Sequence, residues 1–479
     1  MEKLVDQLTA FPSSLDLTDA ELSKQAQLLL INYLYKVPAS SLATGISGTN
    51  LLDLLNPAIN SLPYVFVLAA KLDMGGRSAL ETNWGYIVEF LAVHDGRQMK
   101  HTSREFRRVV EVFCKYAADM DRTLLAVKPL KKALLRSNPS QFSFMHPIFT
   151  RLCLQAKCYR DAIPVLDIDV FDFPSSKGSR DDNGKGPEVS HRDVLEYYLY
   201  GAMLYMGVKR WRRAMDYLCH AIAAPGNACS TIQVEAYKKF ILVGLLLDGK
   251  IPLAPKSTTG STFRILKALT KPYEIFALAF ISGEAGQFRQ EIESTADYFS
   301  NDGNAGLASQ CIEAFRRMQI VALRDTYVTL GVSEIAQKKL DVTGRGGDVG
   351  GDEETERIIL GMIERDEICA TLLQSGADAS ASQTTVHFDS IPVEEDRNLA
   401  ALEEQIARIV TLNKQVKQMD RKLGLSKEYI QFISKQNKGS SGGNATQMSM
   451  DSEIMEMDYV ASWGDEDMEE TMHDFDDNL

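Results

Sequence analysis

Apolar residues recur at helical spacing through most of the chain, and the order of predicted elements is most informative over residues 314–390. Ile320, Leu323, Tyr327 and Leu330 share one face, which predicts a helix over 315–330. A second short helix follows from Ser333, a residue suited to an N-cap, through Ile335, Ala336 and Leu340. Beyond a glycine-rich interruption, residues 353–365 predict a third helix that buries Ile358, Ile359, Met362 and Ile363. Two short runs at 368–373 and 384–388 then predict a two-stranded hairpin, with Val386 and Phe388 facing away from Thr385 and His387.

Three helices followed by a hairpin make a winged helix, a fold that often reads DNA through its third helix. Here that helix and its flanks carry Asp352, Glu353, Glu354, Glu356, Glu364, Asp366 and Glu367, opposed only by Arg357 and Arg365. Binding to a duplex draws on cations that displace condensed counterions, so this surface repels phosphate. Protein–protein packing is the expected use of the fold.

Upstream the chain reads as helix after helix. Thr18 with Glu21 forms a capping box for a helix carrying Leu22, Ala26, Leu29 and Tyr33, stopped before Pro38. Ser103 is expected to cap another, with Phe106, Val109, Val110, Phe113, Ala117 and Met120 inward. Arg104, Glu105, Arg107 and Arg108 are read as its solvated face. No alternating run long enough for a sheet precedes residue 365.

From about residue 149 a weak repeat emerges: Tyr159-Arg160-Asp161-Ala162-Ile163 followed by Leu166, then Trp211-Arg212-Arg213-Ala214-Met215 followed by Leu218. Phe288-Arg289-Gln290-Glu291-Ile292 is a degenerate third copy. In each, an apolar helix precedes a turn and an aromatic residue opens the next helix. Gly201, ahead of the turn at Gly207, permits two helices to approach closely. Such pairs bury their apolar faces only by stacking on neighbours, which predicts a right-handed solenoid with insertions. Residues 174–187, rich in Ser, Gly, Asp and Asn, form one predicted loop, and 252–260 another. Ser190 and Ser230 are helix caps, and Asp302-Gly303 is a turn.

Beyond the hairpin, Leu399, Leu402, Ile406, Ile409, Leu412, Val416, Met419 and Leu423 follow at steps of three and four. This is a heptad-like stripe with one shortened step, fit for a helical bundle. Packing back on its own chain is the alternative. A Gly-Ser linker at 439–443 leads to an acidic tail in which Met455, Met457, Tyr459, Val460, Trp463, Met468 and Phe475 interleave with carboxylates. Ser462 with Asp465, and Thr471 with Asp474, are candidate phosphorylation sites.

Charge changes the picture only once it is divided. The net charge is -13, but residues 439–479 hold twelve Asp and Glu and no Lys or Arg. The remaining 53 carboxylates nearly balance all 52 Lys and Arg, so the body has no basic excess for nucleic acid. Seven dispersed cysteines without a Cys-x-x-Cys pair suit a reducing compartment and read as small apolar residues on helix faces. Seven histidines contain neither His-x-His nor His-Glu-x-x-His, so no metal site is expected. The loop at 344–351 lacks the Gly-Lys-Ser/Thr ending of a phosphate loop. Neither a secretory leader nor a membrane span is expected.

A helical solenoid running directly into an acidic winged helix resembles the PCI domain family, shared by the proteasome lid, the COP signalosome and a translation initiation factor. The resemblance is finer to the signalosome. It rests on Leu-Cys-Leu-Gln-Ala-Lys-Cys at 152–158, Ile-Pro-Val-Leu-Asp at 163–167 and Tyr-Tyr-Leu-Tyr-Gly at 197–201. Further pieces lie at 235–243, 302–311, 326–330 and 362–364, so about 149–431 is covered. The first 140 residues match more loosely, and 344–351 is an insertion relative to the family pattern.

The resemblance implies a mainly α chain: a right-handed helical-repeat (TPR-like) solenoid, a winged-helix (PCI) domain and a long C-terminal helix. The corresponding segments are an N-terminal helical region at 1–148, repeats at 149–312, the winged helix at 313–391, a bundle helix at 394–436 and a tail at 437–479. It also implies a non-catalytic scaffold of a complex that removes a ubiquitin-like modifier from cullins. The metalloprotease chemistry, with its His-x-His pair, lies in another subunit, so no catalytic, cofactor or metal residue is carried over. Partners implied are the other signalosome subunits, with cullin-RING ligases as further candidates, in nucleus and cytoplasm; neither nucleic acid nor membrane is implied. PCI modules associate side by side, which makes Ile368, Ala370, Leu372, Thr384, Val386 and Phe388 the expected docking edge. The open alternatives are a PCI subunit of another assembly, such as the proteasome lid or the initiation factor, and a PCI-type nucleic-acid adaptor.

Overall fold

A computed structural model describes residues 2–440 except 15–16, 45–49, 138, 171, 174–188, 227, 340–350, 366, 376–382 and 390–394. The chain is mainly α, with one small sheet. Several of its helices start where side chains replace missing backbone partners. The Thr18 amide donates to Glu21 Oε2 at 3.1 Å while the Glu21 amide donates back to Thr18 Oγ1. Ser190 with Asp193, and Ser230 with Gln233, repeat this reciprocal box at the heads of the helices His191–Gly207 and Thr231–Asp248. Ser103 is not a cap: the cap position falls on Thr102, without a side-chain bond, and Ser103 is the first helical residue.

Consecutive helices are joined by one recurring turn. Asp121, Lys157, Lys209 and Gly303 all adopt positive φ. The next amide reaches back five residues in each case: Arg122 to Ala117, Cys158 to Cys153, Arg210 to Tyr205 and Asn304 to Phe299, at 2.8–3.0 Å. This is a Schellman closure, which satisfies the last carbonyls of one helix and turns the chain into the next. The repeat is therefore already present between Ser103–Asp119 and Thr123–Arg136, ahead of residue 149. A single hydrophobic core runs from Leu8 to Phe315, so no break in packing marks residue 148. Phe288 lies in the first turn of Ala285–Asn301 rather than opening that helix.

Close packing within this core has two devices. A Cβ added to Gly201 would sit 2.6 Å from the Tyr217 ring, so glycine is what lets the helix Trp211–Ala223 lie against His191–Gly207. The Tyr217 hydroxyl donates to the Leu166 carbonyl at 2.8 Å and meets Tyr197 Oη at 3.1 Å, which satisfies two buried phenols. The second device is a correction to the solvated face. Arg107 donates from both terminal nitrogens to Asp193 at 3.0 Å, across 86 residues, and Arg108 pairs with Asp73. Burial alone raises the Asp193 carboxyl, but Arg107 and Ser190 outweigh it and hold it below the usual range.

The helix Ala305–Arg324 belongs to two cores. Ala308, Cys311, Ala314 and Phe315 pack into the first, whereas Ile320 and Leu323 begin a second that includes Ile335, Ile359, Met362, Val386 and Phe388. The helix predicted to reach residue 330 stops at Arg324, where the Thr326 and Tyr327 amides both turn back to the Leu323 carbonyl. Tyr327 is exposed, and Leu330 is buried from a strand instead. That strand, β1 (Thr329–Gly331), joins β2 (Ala370–Ser375) and β3 (Gln383–Phe388) in an antiparallel sheet of order β1-β3-β2. The predicted hairpin is thus a three-stranded sheet; three residues were too short a run to show alternation. Val332–Lys339 and Gly351–Glu364 supply the other two helices, with Ser333 inside the first rather than capping it.

Residues Ile391–Leu479 form a separate unit. Its described part comprises the helices Glu395–Gly424 and Lys427–Ser440. One continuous helix was expected; the chain breaks after Gly424, and the Tyr429 amide donates to Ser426 Oγ as a new N-cap. The acidic tail lies outside the described residues.

Candidate protein-interaction site

Two surfaces follow from this framework, a sheet rim and a helical stripe. In the sheet, β3 is the central strand: Leu330 and Leu372 both face Val386 across it, and the Phe388 amide donates to the Val328 carbonyl. Val386 and Phe388 therefore do not lie on an open edge, because β1 takes the side of β3 that a two-stranded hairpin would leave free; Thr384 pairs with Gln374 of β2, one residue beyond the β1 register. Val386 and Phe388, with Ile368, are instead buried in the second core. Ala370 and Leu372 belong to the outer strand β2 but turn their side chains partly onto the same core. What the rim offers is the outer backbone edge of β2, which has no strand partner among the described residues.

Exposed apolar side chains outside the expected site residues also occur here: Leu373 of β2 at 55%, Leu360 of Gly351–Glu364, and Val328 just ahead of β1. Leu373 had a visible signal: 368–373 is apolar at successive positions, so both faces of the strand carry apolar groups.

The acidic third helix is partly used internally. Arg316 of the shared helix donates to Glu354 at 2.8 Å, and Arg317 and Arg365 converge on Glu367 at 3.0 and 2.8 Å. Asp352, Glu353 and Glu364 remain exposed, so the outward surface stays negative.

On Glu395–Gly424, Leu402, Ile406, Ile409, Leu412, Val416, Met419 and Leu423 are all exposed, Ile409 by 63%. The side chain of Leu399 lies outside the described residues. Further exposed apolar side chains follow, Leu425 between the two helices and Tyr429, Ile430 and Phe432 on Lys427–Ser440. Their spacing was legible in the sequence but fell beyond the end of the regular stripe.

A third feature links the repeats to the sheet-bearing end. Asp302, in the turn before the shared helix, accepts from Lys238 Nζ and from the Tyr273 hydroxyl, each at 2.8 Å. Asn304 donates to the same phenol at 2.8 Å, and Lys238 also pairs with Glu235. Burial opposes ionisation of Asp302, yet the bonds from Lys238 and Tyr273 outweigh it and keep the carboxyl below its usual value. The segments at 235–243 and 302–311, singled out separately in the sequence, thus meet; Cys311 Sγ also approaches the Leu242 carbonyl at 3.6 Å.

Burial pushes the thiols of Cys114 and Cys153 up to about 12 and that of Cys219 to about 11. Thiols so placed stay protonated and pack as apolar groups. Among the described residues no group of three or more His, Cys, Asp and Glu could hold a metal ion, and no helix is long and apolar enough to cross a membrane. Ser462 and Thr471 lie outside the described residues.

The comparisons agree with the helical architecture. Residues 38–261 match the family model described as COP9 signalosome complex subunit 3, N-terminal helical repeats. The COP9 signalosome complex subunit 3 of Emericella nidulans is 28% identical over 481 residues, covering 92% of this chain and 95% of the relative. That of Dictyostelium discoideum is 27% identical over 416 residues, covering 86% and 92%. The similarity therefore extends well beyond the repeats. Over most of its length the chain is therefore similar to COP9 signalosome complex subunit 3, and residues 38–261 match the N-terminal helical repeats of that family.

Proposed function

We propose that this chain is a non-catalytic scaffold subunit of a COP9 signalosome, in a complex that removes a ubiquitin-like modifier from cullins and so regulates cullin-RING ligases. The observation that carries this reading is the row of exposed aliphatic side chains on Glu395–Gly424. Burying each large side chain is worth roughly 1.5–3 kcal/mol, so a 30-residue helix presenting seven of them outward is suited to a bundle made with other subunits. In this reading the unit of three helices and β1-β3-β2 is a winged-helix PCI module, and the free edge of β2 adds a strand-like contact to a neighbouring module. The repeats form a TPR-like solenoid projecting from it. Partners are other signalosome subunits, with cullin-RING ligases reached through the assembly, in nucleus and cytoplasm. The negative surface of Gly351–Glu364 argues for protein partners over nucleic acid.

The test is co-assembly. Leu402→Asp combined with Ile406→Asp should reduce the recovery of partner subunits with a tagged full-length chain by at least about tenfold, because two carboxylates cannot be desolvated in a bundle seam. Circular dichroism of the chain alone should barely change. Undiminished recovery of partners would sink the proposal.

A further inference from the structure

Charge is segregated inside the repeats in a way that neither the bundle nor the sheet rim uses. Between Asp121 and Asp161 the chain carries Arg122, Lys128, Lys131, Lys132, Arg136, Arg151, Lys157 and Arg160 and no acidic residue at all. Five of these cations lie on or beside a single helix, Thr123–Arg136. Its inner face buries Ala126, Val127, Leu130, Ala133 and Leu134. Its outer face holds Leu124, Leu125 and Leu135, exposed by 61%, 59% and 42%, together with exposed Lys128 and Lys132.

At 3.6 residues per turn, Leu124, Leu135, Lys128, Lys132 and Leu125 fall within an arc of roughly 100°, flanked by Lys131 on one side and Arg136 on the other. Arg122, Lys128, Lys131 and Lys132 make no ion pair with any described residue. Arg136 donates to the His94 carbonyl at 3.2 Å and makes no ion pair with a carboxylate among the described residues.

A solvated face would not need three leucines, and a phosphate-binding face would have no use for them. Leucines interleaved with lysines and bordered by cations fit the opposite pattern: a helix whose apolar ridge is edged by carboxylates. We propose that the outer face of Thr123–Arg136 is a docking site for an acidic amphipathic helix of a partner protein. The leucines supply the buried ridge of a helix–helix contact, and the five cations set orientation and association rate by pairing with the partner's carboxylates.

The probe is a fluorescent synthetic helix with a leucine ridge flanked by glutamates, titrated into the full-length chain and read by anisotropy. Saturable binding is expected, weakened at least about tenfold by Lys128→Glu with Lys132→Glu and by a similar factor by Leu124→Ser with Leu135→Ser. All four positions are exposed or at the rim of the fold, so the thermal transition should not move, and circular dichroism verifies this. Raising salt from about 50 to about 300 mM should weaken the wild type far more than the lysine variant. The proposal is overturned if the probe does not saturate or if either variant binds like wild type. It is equally overturned if a glutamate peptide lacking the ridge, or a single-stranded DNA of equal charge, binds as tightly as the probe, since the leucines would then play no part.

Discussion

Two helices of this chain carry similar numbers of apolar residues, eleven of 18 in Thr231–Asp248 and twelve of 30 in Glu395–Gly424, and meet opposite fates. Thr231–Asp248 buries Ala236, Tyr237, Phe240, Ile241, Leu242 and Val243, and even Lys239, whose ammonium is pushed below its usual value by burial although Glu235 partly offsets it. Glu395–Gly424 leaves its Leu, Ile, Val and Met side chains from Leu402 onwards exposed. The first lies between neighbours that the repeat supplies in sequence, two of which, Trp211–Ala223 and Ala305–Arg324, follow the same Schellman turn. The second follows a sheet-bearing unit that already has its own closed core. A dozen or so apolar residues at helical spacing do not by themselves make a helix part of its own fold's core; the supply of neighbours does.

The most direct way to break this comparison is to truncate one side chain in each helix. Phe240→Ala, at a fully buried ring, should lower the stability of the body by about 3–5 kcal/mol. Ile409→Ala should change it by no more than about 0.5 kcal/mol. Urea denaturation of the isolated full-length chain reads both, and equal losses would erase the distinction.

A smaller effect concerns pH. His94 and His146 are buried among aromatic rings, with His94 Nε2 lacking a partner, and burial lowers both to about 4. In the unfolded chain they take up protons near 6.5, ahead of the folded state. Stability is therefore complete above that pH and is lost as pH falls from 6.5 towards 4. Each histidine should cost about 2 kcal/mol at pH 5. The midpoint of urea unfolding should fall between pH 7 and 5, and His94→Phe should remove part of that slope; a slope unaffected by the substitution would count against the assignment. Exposed Glu395–Gly424 should show no comparable response over the same range.

Smaller again is the helix–helix approach at Gly201. Gly201→Ala places a methyl group against the Tyr217 ring and should cost about 1–3 kcal/mol. Thermal unfolding of the variant measures it, and an unchanged transition would mean that the two helices are free to separate.

Much of the body was legible in advance because its signals are local. Capping boxes at Thr18, Ser190 and Ser230 need only four residues, and the stripe of the C-terminal helix is a matter of spacing. The misreadings share a physical cause. Thr329–Gly331 is a strand only because β3 arrives 55 or so residues later to pair with it, and Arg107 is a tether only because Asp193 lies opposite. Likewise, Ser103 yields the cap position to Thr102 for reasons of backbone conformation that residue type does not reveal.

Residue order by itself determined the mainly helical character, the periodic apolar faces, the acidic third helix and the spacing of the C-terminal stripe, since each depends on side chains a few positions apart. Tertiary structure alone decided which strand holds the centre of the sheet, where the shared helix passes from one core to the next, and which charges are paired. Those outcomes depend on contacts between residues tens of positions apart, whose free energy appears only once the chain has brought them together.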